Sequence, residues 1–253
     1  MKIDLSGKVA VVTGASGELG RVISRTLAAC GAHVALCYNR SKDKAQKLLA
    51  ELRAAAGRAI AVQADVTSPQ AVQALQNAVH KQLGDADIVV TNAVIQYEWT
   101  TVLEQAPEDY ESQFRSCVLQ NVLMAKAFAP AMIRRGGGRI IAVNTECAMQ
   151  CLPNQSAYAS GKRGMDGVLR VLAREIGPHG VTVNQVAPGW MISDKYRDTH
   201  TERQPEYEKN VPLRHRGEDQ DIANAVAFLA SDLARFISGV YLPVCGGNVM
   251  PCI

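Results

Sequence analysis

The sequence predicts an α/β fold of one domain, in which a doubly wound and mostly parallel sheet of seven strands is flanked by helices. Short β-rich runs alternate with longer amphipathic segments over the whole chain, and this alternation is typical of the doubly wound class. Most of the short runs are continuously apolar, as expected for parallel strands that are buried on both faces. Because no internal repeat, low-complexity tract or linker interrupts the pattern, we expect a single domain over residues 1–253.

The elements can be assigned in chain order. Seven apolar, β-rich runs are predicted as strands: Val9–Thr13, His33–Tyr38, Ala59–Ala64, Ile88–Thr91, Arg139–Val143, Thr182–Val186 and Val240–Val244. Six amphipathic segments are predicted as helices: Leu19–Ala29, Lys42–Ala56, Pro69–Leu83, Tyr110–Arg135, Ala157–Ile176 and Asp219–Ala230. Polar residues dominate the remaining segment, residues 190–216, which is either a mobile lid over a functional site or a solvated surface loop.

The composition argues against several classes of function. A formal charge of +3 and an aromatic content of 5% give no reason to expect a nucleic-acid partner. No signal-peptide pattern opens the sequence, and no apolar run reaches the roughly 18 residues that cross a bilayer. We therefore expect a cytoplasmic protein without a membrane partner.

The cysteines are scattered through the chain. They are Cys30, Cys37, Cys117, Cys147, Cys151, Cys245 and Cys252. Several lie in apolar runs, which favours reduced thiols in the cytoplasm. The closest pair, Cys147 and Cys151, has neither a second pair nor a histidine cluster nearby, so no metal site is expected.

A glycine-rich turn, Thr13-Gly-Ala-Ser-Gly-Glu-Leu-Gly20, directly follows the first strand. The N–H groups and the dipole of a helix N-terminus favour a pyrophosphate at such a turn, although a purely structural turn is the alternative. Read as TGxxxGxG, the turn has Glu18 where a glycine should let the backbone approach the phosphate. Read as TGxxGxxG, that glycine is Gly17, and Glu18 points outward from the start of the helix, where an acid is favourable. We favour the second spacing.

The turn and the end of the second strand predict the nucleotide. The expected contacts at the turn are Gly14, Ser16, Gly17, Glu18 and Leu19. The second strand ends without the acidic residue that would bind the ribose of NAD; the expected contacts there are Tyr38, Asn39, Arg40 and Ser41. Arg40 and Ser41 offer charge-assisted donors to a 2′-phosphate, so NADP(H) is preferred and NAD(H) stays possible. In the alternative interpretation, Arg40 and Lys42 are only solvent-exposed side chains at the start of a helix and bind no phosphate.

A Tyr158-Ala-Ser-Gly-Lys162 motif opens the fifth predicted helix. The i, i+4 spacing puts both side chains on one face. A free phenol titrates near pH 10, and a nearby ammonium favours the phenolate. We therefore expect a lowered pKa for Tyr158, which would serve as a general acid or base.

With these motifs in this order, the chain resembles the short-chain dehydrogenase/reductase family along essentially its full length, and β-ketoacyl-carrier-protein (3-oxoacyl-carrier-protein) reductases most of all through Ile222–Ser231 and Ser238-Gly239. The resemblance implies a Rossmann fold, and it implies a cytoplasmic homotetramer or homodimer. It also implies further cofactor contacts: Asp65 and Val66 at the adenine, Asn92 and Ala93 at the cofactor wall, Tyr158 and Lys162, and Pro188, Gly189, Met191 and Ser193 around the nicotinamide.

The resemblance also implies catalytic roles. Tyr158 protonates the substrate oxygen, Lys162 binds the ribose, and Thr145 stands where the family has a substrate-binding serine. Cys117 stands where the family has an asparagine that anchors a proton-relay water, and Asn121 lies one turn later. Val94 replaces a glycine of the cofactor wall.

The expected function is reversible hydride transfer between NADP(H) and a carbonyl/alcohol pair. The partner would be a small-molecule or acyl-carrier-bound carbonyl substrate. The alternatives are a polyol or sugar dehydrogenase and a nucleotide-sensing relic of low activity. An acyl carrier would need a basic rim, for which the candidates are Arg197, Arg203, Arg214 and Arg216.

The substrate pocket is predicted by position only. Its main candidates are Gln96, Glu146, Gln150 and Trp190, and further candidates are Tyr97, Glu98, Trp99, Met149 and Pro153. Glu146 either receives a polyol hydroxyl or an amine, or faces solvent.

Overall fold

The structure, a computed structural model, describes residues 3–55 and 57–251. Within these residues seven strands form one sheet in the order β3-β2-β1-β4-β5-β6-β7, and every pair of neighbours is parallel. The strands are β1 Val9–Thr13, β2 His33–Tyr38, β3 Ala59–Gln63, β4 Ile88–Thr91, β5 Gly138–Val143, β6 Val181–Pro188 and β7 Tyr241–Val244. The predicted fold class is confirmed.

Helices cover both faces of the sheet. They are α1 Glu18–Ala29, α2 Lys42–Ala54, α3 Pro69–Leu83, α4 Pro107–Gln113, α5 Gln120–Arg135, α6 Cys147–Gln150, α7 Ser156–Ile176, α8 Asp194–Asp198, α9 Pro205–Glu208 and α10 Asp219–Ala230. Helices α1, α2 and α10 share one apolar cluster with the sheet, while α3, α5 and α7 share the other. This two-sided cover explains the continuously apolar strands, since all five residues of β1 and all eight of β6 are buried.

One predicted helix is interrupted. The segment predicted as Tyr110–Arg135 starts earlier, at Pro107, and its middle, Phe114–Leu119, is a π-helix between α4 and α5. A 3.6-residue periodicity cannot reveal such a widened turn, and π-helical turns occur frequently at functional sites. The other boundaries agree with the prediction to within two residues, and Ala56, predicted as the end of α2, lies outside the described residues.

The helical stretch Pro107–Arg135 is long and apolar enough, with a mean hydropathy of 1.3, to cross a membrane. It meets that criterion alone among the described helices. More than half of its most apolar window, 56%, is buried inside the protein, and α5 packs against α3, α7 and the sheet. We therefore assign it to the core of the domain.

The strand order reverses between β1 and β4. In an open α/β sheet the crevice for a ligand lies at this point, beyond the carboxyl ends of the strands. Four segments meet there: the glycine-rich turn after β1, Asn92 after β4, Thr145 and Glu146 after β5, and Gly189 after β6.

Candidate active site

The turn after β1 is built on glycine. Gly14 has a φ of +62°, which side chains rarely adopt, and Gly17 is the N-cap of α1. A Cβ on Gly20 would lie only 2.1 Å from the Gly14 oxygen, so helix and turn are in direct contact there. Among the described residues no side chain caps α1, which leaves its first N–H groups for an anion. The turn therefore fits the pyrophosphate of a dinucleotide.

A buried hydrogen-bond network ties this turn to β4. The Thr13 hydroxyl donates to Gln120 Oε1 over 2.6 Å and accepts from the N–H groups of Asn92 (2.9 Å) and Ala93 (3.1 Å). The Asn92 amide donates to the carbonyls of Thr13 (3.1 Å) and Gly14 (3.3 Å). Sequence reasoning missed Thr13 and Gln120. The available signal was a glutamine on the buried side of a largely apolar helix.

Glu18 faces the 190–216 segment. Its carboxylate accepts hydrogen bonds from Arg21 (2.8 Å) and from the main-chain N–H of Lys195 (3.2 Å). Arg21 in turn pairs with Asp194 over 2.6 Å. The first residue of α1 is thereby joined to α8.

The end of β2 offers a free cation. Tyr38 is buried, whereas Asn39, Arg40 and Ser41 are exposed. Within the described chain the Arg40 guanidinium makes no ion pair or hydrogen bond, and the Ser41 side chain does not cap α2. Both groups are free to receive a phosphate. At the end of β3, by contrast, Asp65 Oδ1 is held by the main-chain N–H (2.9 Å) and the hydroxyl (2.8 Å) of Thr67.

Tyr158 and Lys162 lie on the first two turns of α7 at the crevice, where Tyr158 is partly buried and Lys162 is buried. Lys162 is only 4% exposed. Its Nζ donates to the Val143 carbonyl over 2.6 Å and lies 5.7 Å from the centroid of the Tyr158 ring. In the residues described, Val143 is the ammonium's only hydrogen-bond partner, so two further donors can serve the hydroxyls of a ribose.

The expectation of a lowered pKa for Tyr158 is wrong for this chain. Burial raises the pKa of Tyr158, and nearby Cys147 and Cys117 add to the effect, while a hydrogen bond with Thr145 opposes it. Burial likewise lowers the pKa of Lys162. Desolvation of the phenolate is thus the dominant effect on the pKa of Tyr158.

Thr145 is fixed at the end of β5 by its neighbours. Its hydroxyl accepts from the N–H of Cys147 (3.2 Å), and its carbonyl accepts from the Tyr241 hydroxyl. Asn144 accepts from the N–H of Thr145 (2.9 Å) and donates to the Lys162 carbonyl (3.2 Å). Asn144, which sequence reasoning missed, therefore aligns β5 with the helix that carries Tyr158.

Cys117 lies in the π-helix and is only 1% exposed. Its main-chain carbonyl accepts from the Asn121 amide over 2.6 Å, and Asn121 accepts from the Thr91 hydroxyl over 2.6 Å. Asn121 thus turns back onto the carbonyl of Cys117. That carbonyl keeps one lone pair for another donor.

The C-terminal part of the predicted cofactor set frames the same crevice. Gly189 donates its N–H to the Val244 carbonyl (3.1 Å), and a Cβ there would meet the Tyr207 hydroxyl at 2.6 Å. The Pro188 carbonyl accepts from the N–H of Glu146 (2.8 Å). Ser193 is the N-cap of α8.

A cavity of about 530 Å³ opens beside Tyr158. All four main pocket candidates line it, as do Tyr97 and Trp99, whereas Glu98, Met149 and Pro153 do not. Trp99 stacks on Tyr158 with ring centroids 5.6 Å apart, and the Tyr97 hydroxyl accepts the main-chain N–H of Tyr158 over 2.7 Å. Tyr207 also lines the cavity; no local pattern pointed to it, since it reaches the site from α9.

The arginines predicted to form a basic rim for an acyl carrier make hydrogen bonds and ion pairs within the protein. Arg216, 4% exposed, donates to the carbonyls of Trp190 (2.9 Å), Met191 (2.8 Å) and Glu202 (2.9 Å) and, more weakly, Thr201 (3.4 Å). Arg197 and Arg203 are held by carboxylates: Asp194, Glu218 and Asp219 for the first, Glu208 for the second. Arg214 is exposed, and its guanidinium donates to the Lys209 carbonyl.

Comparisons with known proteins agree with this geometry. A family profile described as Enoyl-(Acyl carrier protein) reductase matches residues 14–248. The chain is 35% identical over 243 residues to a 3-oxoacyl-(acyl-carrier-protein) reductase of Staphylococcus epidermidis, covering 96% of this chain and 99% of the relative. It is 33% identical over 248 residues to the reductase of the same name from Escherichia coli K12, covering 98% and 100%.

Two solved structures are similar throughout. One is a 7α-hydroxysteroid dehydrogenase in complex with NADH and 7-oxo glycochenodeoxycholic acid, with a TM-score of 0.89 and 32% identity over 98% of this chain and 96% of that chain. The other is a blue fluorescent protein from a metagenomic library in complex with NADPH, with a TM-score of 0.89 and 35% identity over 98% and 100%.

Fold, crevice and relatives together define an oxidoreductase that uses a nicotinamide cofactor. The chain belongs to the short-chain dehydrogenase/reductase family. It is an NAD(P)-dependent enzyme that interconverts carbonyl and CH–OH groups and is similar to 3-oxoacyl-(acyl-carrier-protein) reductases.

Proposed function

We propose that this enzyme uses NADPH in preference to NADH and reduces a carbonyl group in the cavity beside Tyr158, with Tyr158 as the general acid. The observation that carries the proposal is that Tyr158 and Thr145 line that cavity while the Lys162 ammonium lies behind Tyr158, 5.7 Å from the centroid of its ring. When bound, the nicotinamide supplies the hydride. The chain's own residues bind the cofactor, hold the substrate oxygen and deliver the proton.

The roles follow from the contacts of each side chain. A raised pKa keeps the proton on Tyr158 at neutral pH, and this is the form that a reduction consumes. The Thr145 hydroxyl lines the same cavity as Tyr158 and orients the same substrate oxygen. Lys162 has donors to spare for the ribose. General acid catalysis of this kind typically contributes about 10²–10⁴-fold to the rate.

The preference for NADPH rests on the end of β2. No carboxylate stands there to accept from a ribose 2′-hydroxyl, whereas the Arg40 guanidinium is exposed and without a partner in the described chain. A 2′-phosphate would receive charge-assisted hydrogen bonds from Arg40 and the neighbouring Ser41.

The substrate of the relatives, a 3-oxoacyl group on an acyl carrier protein, is the first candidate for this chain. Its support is full-length similarity at 33–35% identity. Arg216 is buried and Arg197 is held by three carboxylates, which leaves Arg203, paired with Glu208, and Arg214 as the exposed members of the proposed rim. A polyol or sugar alcohol is the second candidate, favoured by the carboxylate of Glu146 in the cavity wall.

A substrate panel tests the proposal. Acyl-carrier-bound and free 3-oxoacyl esters, cyclic ketones and polyols are each offered with NADPH/NADP⁺ and NADH/NAD⁺, and the nicotinamide absorbance is followed. Tyr158→Phe, which removes one hydroxyl, should lower turnover of every substrate by at least about 10² without loss of cofactor binding. Turnover close to that of the wild type in this variant would refute the assigned mechanism. Cofactor binding without turnover of any substrate would favour a nucleotide-sensing role.

We further propose a cytoplasmic homotetramer. Two groups of exposed apolar side chains support it: Phe114 and Val171 on the contacting π-helix and α7, and Leu233 and Phe236 beyond α10. Exposed apolar side chains on two parts of the surface suit two kinds of two-fold interface. Light scattering should give the mass of four chains, and Phe236→Ser, at a fully exposed position, should reduce it to that of two. A monomeric wild type would refute the assembly.

A further inference from the structure

Glu146 is a charged group in the cavity that the proposed reaction does not use. It follows Thr145 directly and is only 3% exposed. Its two carboxylate oxygens accept from the Tyr207 hydroxyl (2.8 Å) and from the Asn248 amide (3.0 Å). Two neutral side-chain donors hold the carboxylate in place, and a carboxylate oxygen can accept more than one hydrogen bond.

No cation compensates this buried carboxylate within the described part of the chain. None of its Lys, Arg or His nitrogens lies within 4.0 Å of Glu146. A buried charge without a countercharge is costly, and such charges in proteins are normally paired. Burial accordingly raises the pKa of Glu146, against the effect of the hydrogen bonds from Tyr207 and Asn248.

The remainder of the cavity suits a cation as well. Apart from Glu146, the lining residues of the described chain are uncharged at neutral pH, and five are aromatic: Tyr97, Trp99, Tyr158, Trp190 and Tyr207. The faces of aromatic rings attract a desolvated ammonium, because the ring quadrupole is negative there. The same walls offer nothing to neutralise an anion.

From these contacts we propose that the cavity selects a small molecule in which the reacting carbonyl or alcohol is joined to a protonated amine, and that Glu146 binds the amine. The inference rests on the proposed function for its reacting end, because Thr145 orients the oxygen. Since consecutive Cα atoms are about 3.8 Å apart, the residues that bind oxygen and amine are neighbours, and the two groups belong to one compact molecule.

A matched pair of alcohols tests the proposal. 4-Hydroxy-1-methylpiperidine carries a protonated amine at neutral pH, and 4-methylcyclohexanol has the same shape without the charge. Both tryptophans of the chain, Trp99 and Trp190, line the cavity, so quenching of their emission measures binding directly. At pH 7.5 the wild type should bind the amine at least about tenfold more tightly, the scale of one charge-assisted hydrogen bond. Equal affinities would overturn the proposal without any variant.

Two variants locate the charge. Glu146→Gln is isosteric and keeps an acceptor for Tyr207, and it should abolish the preference for the amine. Glu98→Gln removes an exposed carboxylate between Tyr97 and Trp99 that does not line the cavity, and it should leave the preference intact. If both variants lose the preference for the amine to the same extent, the preference comes from the overall electrostatic field of the protein, and the proposal is overturned. A preference that survives in Glu146→Gln would overturn it as well.

Two further measurements separate this inference from its alternatives. If Glu146→Gln weakens NADP⁺ relative to NADPH and leaves the amine preference unchanged, the carboxylate serves the cationic nicotinamide ring and the proposal fails. Oxidation of both alcohols with NADP⁺ tests the reaction separately. Turnover without preference for the amine retains the oxidoreductase function and rejects the cation site. Tight binding of the amine without its oxidation supports the cation site and counts against the proposed reaction at Tyr158.

Discussion

Replacing Gly20 with Ala tests how the turn between β1 and α1 is built. The added Cβ would lie 2.1 Å from the Gly14 oxygen and 2.9 Å from the Asn92 amide nitrogen. The first distance is more than about 1 Å too short, and the obstacle is backbone, which cannot rotate aside. The turn must therefore move away from α1 and break the bonds that Asn92 makes to it.

The size of the effect follows from two opposing terms. Overpacking of this kind costs about 1–3 kcal/mol, and the double backbone contact argues for the upper end. Alanine regains about 1 kcal/mol of helix propensity over glycine. The net loss of about 2 kcal/mol corresponds to a fall in Tm of about 4–8 °C for a chain of this size. Because the turn itself moves, we expect the Kd for NADPH to rise at least about tenfold.

Gly17→Ala is the matched control. Its Cβ would lie 3.2 Å from the Gly14 oxygen, and the φ of −80° is ordinary, so the stability should change by less than about 1 kcal/mol. If Gly17 is the glycine that the phosphate approaches, this variant should bind NADPH more weakly than the wild type although its stability is nearly unchanged. Thermal unfolding and fluorescence titration measure both quantities. An unchanged Tm in Gly20→Ala would refute the packing argument. Normal NADPH binding in Gly17→Ala would assign the phosphate contact to the main chain at Glu18 instead.

Three further perturbations have definite expected outcomes. Because burial raises the pKa of Tyr158, the reduction rate should stay level from about pH 6 to 9 while the oxidation rate climbs with pH; an oxidation rate that levels off below about pH 8 would contradict a raised pKa. Arg40→Ala should weaken NADPH binding by roughly 1.5–3 kcal/mol and leave NADH nearly unchanged in titrations of both cofactors, and equal losses would remove Arg40 from the phosphate site. Cys117→Asn puts a larger polar group at a fully buried position, so it should cost about 1–3 kcal/mol in urea unfolding without faster turnover, whereas a gain in turnover would point to a proton relay.

The sheet was predictable because burial on both faces leaves a signal in consecutive residues. Strands β1, β2 and β4 have the predicted bounds, and β6 extends the predicted run by one residue at its start and two at its end. The short helices α8 and α9 were not predictable, since helices of four or five residues have no periodicity and depend on tertiary contacts such as those of Arg216.

The candidate site was predictable where its parts are close in sequence. The i, i+4 spacing of Tyr158 and Lys162 by itself predicts that they lie on the same face of a helix. The environment of Glu146 could not be derived in this way, because Tyr207 and Asn248 reach it from 61 and 102 residues away. The sign of the pKa shift of Tyr158 has the same origin: spacing indicates a nearby ammonium, but only the assembled core determines how strongly the phenolate is desolvated.

The Arg216 guanidinium donates to four main-chain carbonyls, those of Trp190, Met191, Thr201 and Glu202, besides lying over the rings of Trp190 and Tyr196. A carbonyl is the same in every amino acid, so these bonds do not depend on which side chains the four positions carry. Mutations at 191, 201 and 202 can therefore accumulate without detaching the segment from the domain. The arrangement anchors the segment through its backbone and leaves the side chains at these three positions free to differ.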